Sequence, residues 1–232
     1  EGVRKITDAL KVNSLLTSLD LSFNDFDSEG AFAMAKALKV NSSLISLKLG
    51  GNSFGKEGAS KIAEALKVNL SLKALDLGEN SFENEGTSAI ADALKENTSL
   101  TSICLYSNRL DTDGLFAVAE ALKVNSTLTS LDLSDNSIGR DGASGIAEML
   151  KVNTTLTSLN LAINEIRKEA ASEISKALEE NSSLESLNLS MNYFGEQGAF
   201  SIAEALKVNL SLKSLHLSNN KIDDEGASAI AD

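Results

Sequence analysis

Few residues in this chain have the types and spacing that chemistry needs, and they do not converge. Gly50-Gly51-Asn52-Ser53-Phe54-Gly55-Lys56 fits the G-x-x-x-x-G-K spacing of a phosphate loop, whose backbone N–H groups and lysine would cradle an anion. The next residue is Glu57, where a magnesium-holding hydroxyl is required, so no nucleotide is expected there. Asp25, Asp27, Glu29 and Gly30 have the start of a calcium loop, but Lys36 stands where the closing bidentate glutamate belongs. His216 is the only histidine and Cys104 the only cysteine, so zinc sites built from several such ligands are excluded by counting. Neither residue has the partner that would make it a general base or an activated nucleophile. The expectation is no catalysis, no metal and no cofactor.

Asn41, Asn69, Asn97, Asn125, Asn153, Asn181 and Asn209 each head an N-x-[ST] sequon, and Asn188 heads an eighth. The first seven fall just past a helix end, where asparagine suits a left-handed C-cap. They are expected to be structural and free of glycans.

All of these residues sit on one repeating unit. An asparagine recurs at Asn24, Asn52, Asn80, Asn108, Asn136, Asn164, Asn192 and Asn220, every interval being 28 residues. Leucines precede it in the alternating period of a strand, as in Leu19-Asp20-Leu21. Ala31, Met34, Ala35 and Leu38 then follow the apolar stripe of a helix, and Ala59, Ile62, Ala63 and Leu66 repeat it. Acidic residues such as Glu29, Glu57 and Glu85 open the helices, with Gln197 the exception, and lysines such as Lys39, Lys67 and Lys95 close them except where Glu179-Glu180 stands, matching the helix dipole. Such a unit cannot bury its apolar face alone, so the units must stack. Strands about 4.8 Å apart and helices about 10 Å or less apart then bend the stack. The predicted fold is a right-handed α/β solenoid of horseshoe shape, with a curved parallel sheet on the concave side and helices on the convex side.

The pattern L-x-x-L-x-L-x-x-N, followed by a helix of the form G-A-x-x-I-A-x-A-L, resembles the ribonuclease-inhibitor-like class of leucine-rich repeats over essentially the whole chain. The resemblance implies a protein partner held on the concave face or rims, as in the sensor regions of NOD-like receptors. A second implied class is a GTPase-activating regulator of the Ran-activator type. Residues 1–232 are expected to be a single domain of about eight repeats, a fragment of a longer chain.

In that frame the eight asparagines form an inward ladder bonding the backbone of neighbouring turns. Partner-binding residues are sought in the columns that vary. One runs Asp20, Lys48, Asp76, Cys104, Asp132, Asn160, Asn188 and His216. Another, just before the ladder, runs Phe23, Gly51, Glu79, Ser107, Asp135, Ile163, Met191 and Asn219. Two groups stand out: Cys104, Tyr106 and Arg109 on the middle strand, and Ile163, Met191 and Tyr193 as an exposed apolar group. The segment Ile62–Lys73 recurs identically at Ile202–Lys213, which fits duplication or design.

A formal net charge of −12 repels nucleic acid and anionic membranes, and no apolar run approaches the roughly 20 residues of a membrane span. A single cysteine leaves no intrachain disulfide, which fits a reducing, cytoplasmic setting.

Overall fold

The computed structural model describes residues 2–231; Glu1 and Asp232, the bounds of the expected domain, lie outside the described residues. Among the described residues, helices and strands alternate in the order α1 (Gly2–Val12), β1 (Ser18–Asp20), α2 (Ser28–Leu38), β2 (Ser46–Lys48), α3 (Gly55–Leu66), β3 (Ala74–Asp76), α4 (Glu83–Glu96), β4 (Ser102–Cys104), α5 (Thr112–Leu122), β5 (Ser130–Asp132), α6 (Gly139–Val152), β6 (Ser158–Asn160), α7 (Lys168–Glu180), β7 (Ser186–Asn188), α8 (Gly195–Val208), β8 (Ser214–His216) and α9 (Asp224–Ala231).

The strands form one open, eight-stranded parallel sheet in chain order, with β1 and β8 at its edges. The register is one whole repeat: Leu19 opposes Leu47, and Cys104 lies between Asp76 and Asp132. Pairing runs beyond the three-residue strands. Leu105 N–H donates to the Asp132 carbonyl at 2.8 Å and Ser107 N–H to the Ser134 carbonyl at 3.0 Å, and the pattern repeats along the sheet. The fold is therefore an α/β solenoid of strand–loop–helix units. Upper loops lead from strand to helix and lower loops from helix back to strand.

One continuous core lies between sheet and helices. Leu47, Leu49, Leu75, Leu77, Ile103 and Leu105 point into it from the strands, and Met34, Ile62, Ile90, Val118, Ile146 and Ile174 from the helices. Phe54, Phe82 and Phe194 fill it where the upper loops turn into the helices. Adjacent helices meet through small residues. A methyl group on Gly86 would lie 2.8 Å from the Ala59 Cβ, closer than any real contact, so the helices touch there.

Two asparagine ladders hold the units together. In the upper one, Asn108 Nδ2 donates to the carbonyls of Leu77 (2.9 Å) and Tyr106 (3.2 Å), while its Oδ1 accepts from Asn80 N–H (3.0 Å) and Phe82 N–H (3.3 Å). Asn136, Asn164, Asn192 and Asn220 bond in the same way. Asn24, in the first unit, is exposed and reaches only its own turn, at Leu21 and Ser22. Asn80 Oδ1 has no partner among the described residues.

The lower ladder corrects a sequence expectation. Asn97, Asn153, Asn181 and Asn209 have φ between −73° and −78°, extended and not left-handed. The cause is their bonding. Asn97 Nδ2 donates to the carbonyls of Leu66 (2.6 Å) and Asn69 (3.2 Å) in the preceding unit, and its Oδ1 accepts from Ser99 and Leu100 N–H. Asn41, Asn69 and Asn125 do the same. A left-handed turn would swing the amide away from both carbonyls.

Upper loops end in two ways. Asp27 and Asp111 are extended N-caps whose carboxylates accept from Gly30 and Asp113 N–H at 3.1 Å. Gly55, Gly139 and Gly195 instead take φ of 58–60°. Their N–H groups reach the carbonyl of the next unit's ladder asparagine at 3.0–3.1 Å. Glu83 occupies this second conformation at φ 56° with a side chain that penalises it. Glu83→Gly is therefore expected to stabilise the fold by about 1 kcal/mol. Urea unfolding checks this; an unchanged or lower midpoint would contradict it.

Candidate protein-binding surface

At the end of each strand the chain must turn so that the ladder asparagine can point inward. The residue just before it absorbs that turn. Phe23, Glu79, Ser107, Asp135, Ile163, Met191 and Asn219 all have φ of 50–57°, and Gly51 has 67°. This variable column is thus a row of left-handed residues whose side chains leave the upper rim. For isoleucine the conformation is a true outlier, because the branched Cβ crowds the backbone.

The sheet-face column has a structural explanation that sequence reasoning missed. Asp20, Asp76, Asp132, Asn160 and Asn188 each turn Oδ1 back to accept from the N–H two residues on, at 2.8–3.1 Å. That N–H lies past the strand end, and the short side chain satisfies it. Asp132 Oδ1 also accepts from the Ser134 hydroxyl, and its Oδ2 accepts from Asn160 Nδ2 at 2.9 Å. Lys48 Nζ lies 3.8 Å from Asp20, both exposed, a contact worth little in water. His216 is exposed, with Nε2 3.2 Å from the Ser214 hydroxyl.

The middle-strand group divides: Cys104 and Tyr106 stay next to each other on the sheet face, while Arg109 lines a groove on the upper rim. Tyr106 lies flat over the Gly78 backbone, where any Cβ would strike its ring, and its hydroxyl donates to Glu79. Burial, followed by that carboxylate, raises its pKa. Cys104 is half-buried, and burial, assisted by the Asp132 and Asp76 carboxylates, pushes its thiol up to about 12. A neutral thiol is a poor nucleophile. Cys104 is expected to react with a disulfide reagent at pH 8 at least about tenfold more slowly in the folded chain than in the unfolded one. The rate should still be climbing at pH 10; a plateau near pH 8 would contradict the assignment.

Arg109 joins the apolar group instead. Ser107, Arg109, Asp111, Asp135, Ile163, Glu165, Met191 and Tyr193 line one groove of about 450 Å³ along the upper rim, floored by Leu110 and Asn136. Ile163, Met191 and Tyr193 are 41%, 48% and 52% exposed, so their apolar surface is available to a partner. Tyr193 is held by its N–H to the Ile166 carbonyl (2.8 Å), and Lys221 Nζ lies 5.0 Å from its ring centre. Arg109 also has left-handed φ (59°) and makes no ion pair among the described residues. Asp135 belongs to the variable column before the ladder, whereas Asp111 and Glu165 were not singled out in the sequence, because their grouping depends on adjacent loops.

The phosphate-loop spacing builds no cradle. Asn52 and Phe54 are buried in scaffold roles, and Lys56 pairs with Glu85 at 2.5 Å, which raises the lysine pKa. Among the described residues no group of three or more His, Cys, Asp or Glu could hold a metal, and no helix is long and apolar enough to cross a membrane.

Seven segments, residues 12–35, 40–63, 68–91, 124–147, 152–175, 180–203 and 208–231, match the family model described as a leucine rich repeat. The long unmatched stretch between two of these segments, 92–123, carries Cys104, Tyr106 and Arg109. A search of curated proteins finds no match. Among solved structures, the chain is similar to the C-terminal domain of tropomodulin from Caenorhabditis elegans, at 14% identity over 78% of this chain and 93% of that one, with a TM-score of 0.51. Actin-binding site 2 of leiomodin-1 is also similar, at 22% identity over 76% and 87% of the two chains, with a TM-score of 0.47. At these identities the likeness is one of fold.

Proposed function

Since this chain belongs to the leucine-rich repeat family, we propose that it is a protein-binding scaffold that holds a macromolecular partner in the upper-rim groove of Arg109, Ile163, Met191 and Tyr193. The carrying observation is the presence of Ile163 and Met191, solvent-facing in one groove, at left-handed positions where glycine or asparagine would be more stable. An arginine with no ion pair among the described residues and a tyrosine line the same groove, and these side chains are frequent interface anchors. The sheet-face residues Asp20, Lys48, Asp76, Cys104, Asp132, Asn160 and His216 and the nearby Tyr106 would form the flank of such an interface, the Asp and Asn members being tied to the backbone first.

The same reading takes the chain as one domain of the ribonuclease-inhibitor-like class, akin to NOD-like receptor sensor regions. The strict 28-residue period with a helix of two to four turns in each unit supports that class. A cytoplasmic setting is supported by the single free cysteine and by seven sequon asparagines whose Nδ2 groups are bonded to the preceding unit. A second reading, a GTPase-activating regulator, draws on Arg109, which makes no ion pair among the described residues. GTP hydrolysis by a small GTPase accelerated by the wild type but not by Arg109→Ala would favour it.

A photo-reactive side chain at position 191 tests the scaffold reading against one at Ser172 on a helix face. The expected result is a partner crosslinked from 191 alone, displaced by excess wild-type chain but not by an Arg109→Ala/Tyr193→Ala chain. Equal crosslinking from both positions, or equal displacement by both competitors, would remove this groove as the site.

A further inference from the structure

The lower rim carries an internal comparison. The identical segments Ile62–Lys73 and Ile202–Lys213 place the same wall, Val68-Asn69-Leu70-Ser71 with Lys73 and Val208-Asn209-Leu210-Ser211 with Lys213, beside two grooves. The facing walls differ. The first groove, of about 540 Å³, is closed by Lys39, Val40, Ser42 and Ile45. The second, of about 420 Å³, has Glu179, Glu180, Ser182 and Glu185 at the equivalent positions.

The first groove therefore combines four exposed apolar side chains, Val40, Ile45, Val68 and Leu70, with two lysines and no carboxylate. Its twin has three carboxylates, one of which, Glu185, pairs with Lys213 at 2.7 Å. In the first groove Lys73 makes no ion pair among the described residues, while Lys39 is shared with Glu64 at 3.2 Å. The equivalent walls at 123–129 and 151–157 are also free of acid, but they carry Thr129, Thr154 and Thr157 where this groove has Ile45, Leu70 and Lys73, so the joined apolar and cationic surface is particular to this groove. Its apolar centre and cationic edge are complementary to an acidic segment bearing aliphatic side chains. The lower ladder makes the walls rigid, because Asn41 and Asn69 are bonded to the preceding turns.

We infer that the groove between Val40, Ile45, Val68 and Leu70 is a second docking surface, separate from the upper-rim groove, for an acidic, leucine-bearing segment of a partner protein. The twin groove is the control. Because it folds with glutamates at these positions, Lys39→Glu/Val40→Glu/Ile45→Glu can be made in the first groove without breaking the scaffold. The reverse graft, Glu179→Lys/Glu180→Val/Glu185→Ile, should build the same surface a second time.

The probe is a fluorescent peptide that alternates leucine pairs with glutamates, set against its lysine counterpart and read by anisotropy and calorimetry on the whole chain. The expected results are preference for the acidic peptide and at least about tenfold weaker binding after the triple change in the first groove. A further expectation is a stoichiometry rising from one to two after the graft. No detectable binding, equal binding of both peptides, insensitivity to the triple change, or an unaltered stoichiometry would each overturn the inference. So would binding of the same residues to anionic vesicles in place of the peptide, which would make the surface one for lipid.

Discussion

Asn108→Ala is expected to lower stability by about 3 kcal/mol, and the melting temperature by roughly 10 °C. Asn108 is fully buried, and its amide answers two carbonyls, Leu77 and Tyr106, and two N–H groups, Asn80 and Phe82. Alanine leaves the Asn80 and Phe82 N–H groups in the turn without their acceptor, while the Leu77 carbonyl keeps Asn80 Nδ2 (3.1 Å) and the Tyr106 carbonyl keeps Glu79 N–H (2.8 Å). Each buried, unanswered group costs about 1–3 kcal/mol, though water entering the vacated space recovers part of that. Asn160→Ala is the comparison. That residue is half-buried and accepts one N–H, from Ala162, while donating to Asp132 at the surface. Its loss should cost no more than about 1 kcal/mol. Thermal unfolding followed by circular dichroism separates the two, and equal losses would mean that the upper ladder does not hold the units together.

Ile163→Gly/Met191→Gly should move stability and binding in opposite directions. Both residues sit at left-handed φ, 57° and 56°, and relief of the crowding should raise stability by about 1 kcal/mol at position 163 and less at 191. The same change removes the two aliphatic anchors of the upper-rim groove, so affinity for the partner should fall by tenfold or more. Stabilisation with loss of binding is the mark of residues kept for contact. A variant that is more stable and binds as well as the wild type would show that these side chains are drift at a tolerant position.

The repeat, its register and the sheet order were all readable from the sequence, because Leu19, Leu21 and Asn24 and their equivalents recur at one fixed spacing that only parallel stacking in order can bury. The lower ladder was visible as a recurrence but was given the wrong conformation. A C-cap asparagine and one reaching back a full turn have the same one-dimensional signature, and only the position of the preceding unit separates them. The left-handed column was likewise legible in part: Gly51, Asp135 and Asn219 are residues that accept positive φ, whereas Phe23, Ile163 and Met191 hide the pattern. The surface was harder. Asp20, Asp76 and Asp132 read as partner-binding candidates in a variable column, and the structure adds that each is bonded to its own backbone. Arg109 joins Ile163, Met191 and Tyr193 across 54 to 84 residues of chain because loops two and three units along project onto the same rim. Side-chain direction at a turn is set by φ, and alternation along a strand does not predict it once the strand has ended.

Amide hydrogen exchange on the chain with and without its bound partner tests the central claim most directly. Slower exchange is expected at the upper loops that carry Arg109, Asp135, Ile163 and Met191, with the exposed faces of the helices unaltered. Protection confined to the helix faces, with those four loops exchanging as in the free chain, would contradict it.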